Sequence, residues 1–110
     1  MANEPPAPFA VLKLEGDIDL YHSPEVKERL GGLIDQKPKG ILVDLSAVDY
    51  MDSSGLALLI EAMQRIQAYG GRLALFGLRE SVQTIFEVAR LDQIFTLFPD
   101  ESAARTGVGV

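Results

Sequence analysis

A chain of 110 residues with 47% hydrophobic and 24% charged side chains has enough apolar surface for one folded core and too little length for two. A formal net charge of -6 is the wrong sign for direct binding of nucleic acid, which rests on basic patches. With no cysteine, a disulfide framework and a thiolate metal site are both excluded, and no apolar run approaches the roughly 18 residues of a membrane span.

The first residues, MANEPPAP, have neither the basic cluster nor the apolar core of a signal peptide, so export by that route is not expected. Residues 1–8 carry Pro5, Pro6 and Pro8, which cannot donate to a β-ladder, and read as a flexible N-terminal segment. FAVLKLEG, Phe9 to Gly16, alternates apolar and polar positions and reads as a strand. Ser23 then stands as a cap before Pro24, and Val26, Leu30, Leu33 and Ile34 share one helical face that Gly31 and Gly32 weaken. ILVDL, Ile41 to Leu45, is the short continuous apolar run of a strand buried on both faces. Leu56, Leu59, Ile60, Met63 and Ile66 recur at helical spacing until Gly70 and Gly71, with Glu61 and Arg65 placed for an i,i+4 pair. RLALFG, Arg72 to Gly77, is another strand. Ser81 is expected to cap a helix whose apolar face is Val82, Ile85, Phe86 and Ala89. IFTLF, Ile94 to Phe98, reads as a last strand, followed by a short helix through Ala104 and a frayed tail at residues 105–110. Strands alternating with helices predict a single α/β domain over residues 9–104, with a mostly parallel central sheet of about four to five strands and helices packed against it.

In such a sheet the loops leaving the C-terminal strand ends gather on one edge, where ligands and partners are met. Three loops qualify: Asp17 to His22, Ser46 to Ser54, and Gly77 to Glu80. The middle one holds DSSG, Asp52 to Gly55, at the start of an oily helix. A helix cap explains one of these polar residues but not all three. The helix start also favours a negative charge, typically by about 0.3 to 1 kcal/mol.

The segments LEGDID (Leu14 to Asp19), GILVDLSAVDYMDSSGLALL (Gly40 to Leu59) and YGGRLALFGL (Tyr69 to Leu78) resemble a STAS domain of the anti-sigma factor antagonist type, from about Phe9 to about Ala104. The resemblance implies a cytoplasmic bacterial protein that binds an anti-sigma factor, itself an ATP-dependent serine kinase of the GHKL type, and so frees a sigma factor for transcription. It further implies that the kinase phosphorylates Ser53, that a serine phosphatase reverses this, and that no cofactor takes part. Asp52, Ser54 and Gly55 would support the phosphosite. Asp19, Leu20, Tyr21, His22, Met51, Ser53, Leu56, Gly77, Leu78 and Arg79 would meet the partner. Two departures stand out: family members begin with a further strand beside Phe9 to Glu15, where this chain has prolines, and the C-terminal helix looks shorter than the family norm.

Within the motif, Ser54 is expected to cap the helix, Ser53 to lie one residue out toward solvent, and Gly55 to remove a side chain that would crowd the approach. Asp52 has two open roles, orienting the Ser53 hydroxyl or closing an Asx-turn. Asp19 is equally divided between partner surface and loop stabilisation. His22, the one histidine, reads as a solvated loop residue. Asp19, His22 and Ser53 are also the residue types of a serine hydrolase, but the G-x-S-x-G elbow and a glycine-rich oxyanion loop are missing. The G-x-x-x-x-G-K-[ST] loop is absent too, so any nucleotide affinity is expected to be weak. A STAS scaffold in a larger signalling or lipid-transport assembly, never phosphorylated, is the alternative role.

Overall fold

The computed structural model describes residues 9–108. Strands β1 (Phe9–Ile18), β2 (Gly40–Met51), β3 (Arg72–Phe76) and β4 (Thr96–Phe98) form one sheet in the order β1-β2-β3-β4. Each neighbouring pair is parallel, so all four strands end on the same edge. Helices α1 (Ser23–Asp35), α2 (Ser53–Gln67) and α3 (Glu80–Val88) connect them, a 3-10 turn at Leu91–Gln93 precedes β4, and α4 (Glu101–Val108) follows it. The expected flexible segment 1–8, and with it the question of a further N-terminal strand, lies outside the described residues.

Alternation along the strands sorts the core into two layers. Leu12, Leu14, Ile41, Val43, Leu45, Leu73 and Leu75 face α1, α2 and α3, meeting Leu30, Ile34, Leu59, Ile66 and Phe86. Leu42, Ala74 and Phe76 face the other way, onto Ala104 of α4 with Phe98 and Val108 beside it. Burial on both faces is why ILVDL shows no polar alternation until Asp44. Consecutive strand order keeps three connections on one face, because crossovers of one hand that advance in one direction stay on one side of the sheet. The expected frayed tail from residue 105 is helical as far as Val108: α4 is held by Ala104, buried with Leu42, Ala74 and Phe76, by Val108 packed against that cluster, and by Arg105 Nε donating to Glu101 Oε2 at 2.8 Å.

Several local expectations change once the packing is seen. The deepest stripe of α2 is Gly55, Leu58, Leu59, Ala62 and Ile66, with Leu56, Ile60 and Met63 half-buried on its flank. The helix is rotated toward α1, where Leu58 and Ala62 line a shared groove with Leu30, Gly31 and Ile34. Glu61 and Arg65 do not pair with each other; Lys27 Nζ lies 3.8 Å from Glu61, and Arg65 Nη2 donates to Asp35 at 2.9 Å. Both pairs span α1 and α2 and are exposed, so each is worth about 0 to 1 kcal/mol. Ser23 and Ser81 do not cap through their hydroxyls: His22 and Arg79 hold the N-cap positions, and neither makes a side-chain cap bond. Ser23 Oγ instead donates to the Leu20 carbonyl at 3.4 Å, and Ser81 Oγ to that of Asp49 at 3.3 Å. Both serines tie a helix start to a neighbouring loop or strand.

The difference that matters most for function is strand length. β1 continues past Gly16 to Ile18, and β2 continues past Leu45 to Met51, so the pair projects beyond the end of β3, whose last residue Phe76 lies opposite Asp44. Along this arm β2 has extra residues relative to β1, between the Lys13–Asp44 and Glu15–Ala47 pairs and again between Gly16–Val48 and Asp17–Tyr50. Such irregularities bend a strand and re-aim its side chains. Gly16, at φ 75°, supplies the left-handed backbone that the second one needs. As a result Ile18, Val48 and Met51 all point inward, at 1%, 0% and 1% exposure.

Candidate functional site

The arm ends where α2 begins. Asp52 leaves β2 in an extended conformation, at φ -99° and ψ -172°, and its Oδ1 accepts from the backbone N–H groups of Ser54 at 2.8 Å and Gly55 at 3.3 Å. The cap is therefore Asp52 and not Ser54: a carboxylate at this position reaches the second and third helical N–H groups, and aspartate caps as well as serine. Ser53 and Ser54 become the first two residues of the helix. Ser53 is exposed, and among the described residues no hydrogen bond engages its hydroxyl. Ser54 is half-buried and lines a groove of about 420 Å³ with Ser23, Pro24, Lys27, Ala57, Leu58 and Glu61. Gly55 has a different task from the one expected. A Cβ there would lie 2.6 Å from Met51 Cγ and 2.7 Å from the Ile18 carbonyl oxygen, so glycine lets α2 seat against the strand ends beneath the site.

The loop between β1 and α1 is held by two carboxylates. Asp52 Oδ2 accepts from Leu20 N–H at 3.2 Å, and the Asp52 N–H donates to the Ile18 carbonyl at 3.3 Å. Asp19 Oδ1 takes the N–H groups of Tyr21 and His22, each at 3.0 Å, and stands 2.7 Å from His22 Nδ1. Asp19 thus closes its own loop. The resulting turn holds Leu20 and Tyr21 out in solvent, at 66% and 87% exposure.

The side-chain bond to His22, aided by the two backbone N–H groups, draws the Asp19 carboxyl below its ordinary value of 3.8, against a smaller opposing effect of burial. A carboxyl whose folded value is lowered adds order that is complete above its unfolded value and is lost as pH falls through the folded one. In an acid titration the amide signals of Tyr21 and His22 should therefore stay native-like as pH falls through the ordinary carboxyl value of 3.8 and move only below it. Asp19→Asn should abolish that transition. An unchanged transition in the variant would assign it to another group.

The third loop meets the arm at its side. Arg79 Nε donates to the Ser46 carbonyl at 2.8 Å, the Arg79 guanidinium pairs with the Asp49 carboxylate, and Gly77 N–H donates to the Phe98 carbonyl at 3.0 Å. β3 ends at the level of Asp44 while β2 runs on to Met51, and among the described residues no hydrogen bond joins this loop to the α2 start. Two of the three predicted loops are thus joined at Asp52, and from the third Arg79 braces β2 at Ser46 and Asp49. Met51, expected at the partner surface, is buried, and Tyr50, which the sequence pattern does not single out, is 49% exposed. The extra residue in β2 exchanges their orientations, and no period-two pattern reveals it. Leu56 is half-buried. The bond between His22 Nδ1 and Asp19 is the one a hydrolase set would use to orient its histidine, but among the described residues no hydrogen bond joins His22 to Ser53.

Among the described residues no helix is long and apolar enough to cross a membrane. The STAS domain family model matches residues 2–104. Over 84 residues the chain is 37% identical to the anti-sigma-B factor antagonist of Listeria monocytogenes, covering 74% of this chain and 72% of that protein. Over 102 residues it is 34% identical to the anti-sigma-F factor antagonist RsfB of Mycobacterium tuberculosis, covering 90% and 80% of the two chains. The crystal structure of an anti-sigma factor antagonist from Mycobacterium paratuberculosis superposes with a TM-score of 0.82 at 26% identity, over 89% of this chain and 83% of the other. With a matched fold, a motif at the end of the arm and relatives along most of its length, the chain belongs to the STAS domain family.

Proposed function

We propose that this chain is an anti-sigma factor antagonist, a cytoplasmic regulator that acts by binding and not by catalysis. It binds an anti-sigma factor that is also a GHKL-type serine kinase, which releases a sigma factor for transcription. Phosphorylation of Ser53 by that kinase ends the complex, and a serine phosphatase restores the active form. The observation that carries this reading is the division of labour at the α2 start: Asp52 supplies the cap, which leaves the Ser53 hydroxyl exposed at the positive end of a 15-residue helix. The names of the relatives support the same class of partner.

Leu20 and Tyr21 provide the exposed apolar anchors that such an interface needs beside the acceptor serine. Tyr21→Ala should weaken binding to the purified anti-sigma factor kinase of the same organism by about tenfold or more, with an unchanged melting temperature because the ring is almost fully solvated. Gln67→Ala and Glu87→Ala, exposed on α2 and α3 away from the α2 start, should bind as the unmodified chain does. Isothermal titration of the four proteins decides the matter. Equal losses at Gln67 and Glu87, or none at Tyr21, would place the interface elsewhere.

A further inference from the structure

Asp52 uses both carboxylate oxygens, and they serve different elements. Oδ1 takes the first free N–H groups of α2 at Ser54 and Gly55, while Oδ2 takes the N–H of Leu20, which lies 32 residues away in sequence. The backbone reinforces the junction, since the Asp52 N–H reaches the Ile18 carbonyl just ahead of the same loop. From these contacts we infer that Asp52 is a positioning residue for partner recognition: it acts through Leu20 and Tyr21, fixing the apolar anchors at a set distance from Ser53, and does not itself need to touch the partner. This rests on the reading of the edge as a partner surface.

A cap needs one acceptor, and a serine or asparagine would supply it. The second oxygen is what singles out aspartate here. Leu20 and Tyr21 are large and solvated, and nothing in their own side-chain packing would hold them out from the loop. Asp19 secures the far half of the turn, through Tyr21 and His22, but makes no bond to α2. Among the described residues Asp52 is the side chain whose hydrogen bonds join the loop to the helix carrying the acceptor. Holding the anchors in place before binding lowers the ordering cost of association, which is how a residue outside the contact raises affinity.

Asp52→Ser separates the two tasks. Its hydroxyl keeps an acceptor for the helix cap, so the melting temperature should stay within about 5 °C of the unmodified chain. The shorter side chain leaves Leu20 N–H without its acceptor, and hydrogen exchange at that amide should quicken by about tenfold while exchange at Leu59 and Ile66 in α2 is unchanged. Affinity for the purified anti-sigma factor kinase should fall by about tenfold as well. Asp52→Asn is the second variant: with one acceptor oxygen it can serve the cap, and its amide group then offers Leu20 another donor, so the same two losses are expected. Unchanged exchange at Leu20 in both variants would overturn the inference, as would faster exchange with undiminished kinase affinity. If the unmodified chain binds no anti-sigma factor kinase, the functional reading fails, while exchange at Leu20 still decides whether Asp52 positions the loop.

Discussion

Phosphorylation of Ser53 should lower affinity for the anti-sigma factor by about 100-fold or more while leaving the melting temperature within about 5 °C. Within the domain two effects oppose each other. The phosphoryl group adds roughly -1.5 to -2 charge beside the Asp52 carboxylate, which disfavours the modified state. The α2 N-terminus favours it, through the dipole of a 15-residue helix and the N–H groups of the first turn. Ser53 is exposed, so water solvates the new charge in the isolated chain. In the complex the same group would enter a packed contact beside Leu20 and Tyr21, where neither water nor room is left, and the cost falls on binding. Paired titrations and melting curves of the modified and unmodified chain check this. A large loss of stability with broad NMR shift changes would show that the switch is conformational.

Gly55→Ala should destabilise the fold by about 1 to 3 kcal/mol, the range for overpacking a filled site, and lower the melting temperature by roughly 5 °C or more. Two of the three atoms that a Cβ would meet within 3.0 Å belong to Ile18, one of them the backbone oxygen at 2.7 Å, so the relief must come from movement of α2 or the strand ends. Because that movement displaces Asp52 and Ser53, binding and phosphate uptake should decline with stability. Gly32→Ala is the control of opposite sign. It is exposed in α1 with nothing within 4 Å of where a methyl group would lie, and alanine there should stabilise by about 0.4 to 1 kcal/mol. Thermal melting of both variants measures the difference.

Much of this molecule is legible in its amino acids, and the parts that are not share a cause. The parallel order, the apolar run of β2 and the start of α2 at the serine motif follow from periodicities and turn residues that act locally. The extension of β1 and β2 escapes such a reading because extra residues in β2 break the period-two pattern, burying Met51 and exposing Tyr50. The capping role of Asp52 is only half visible: the residue type fits a cap, but the choice between it and Ser54 depends on the backbone angles at the strand end. The bond to Leu20 is tertiary and has no local signature. Arg65 likewise has an attractive partner at Glu61 in sequence and another, Asp35, in space; the rotation of α2 toward α1 selects the second.

On the proposed function, the exposed serine of the pair, and not its half-buried neighbour, receives a phosphoryl group from the anti-sigma factor. Incubating the unmodified, Ser53→Ala and Ser54→Ala chains with the purified anti-sigma factor kinase of the same organism and ATP, followed by intact mass and site mapping, tests it directly. One phosphoryl group on the unmodified chain and on Ser54→Ala, with none on Ser53→Ala, is the predicted result. Uptake that persists in Ser53→Ala and vanishes in Ser54→Ala, or an unmodified chain that binds the kinase yet takes up no phosphate, would contradict it.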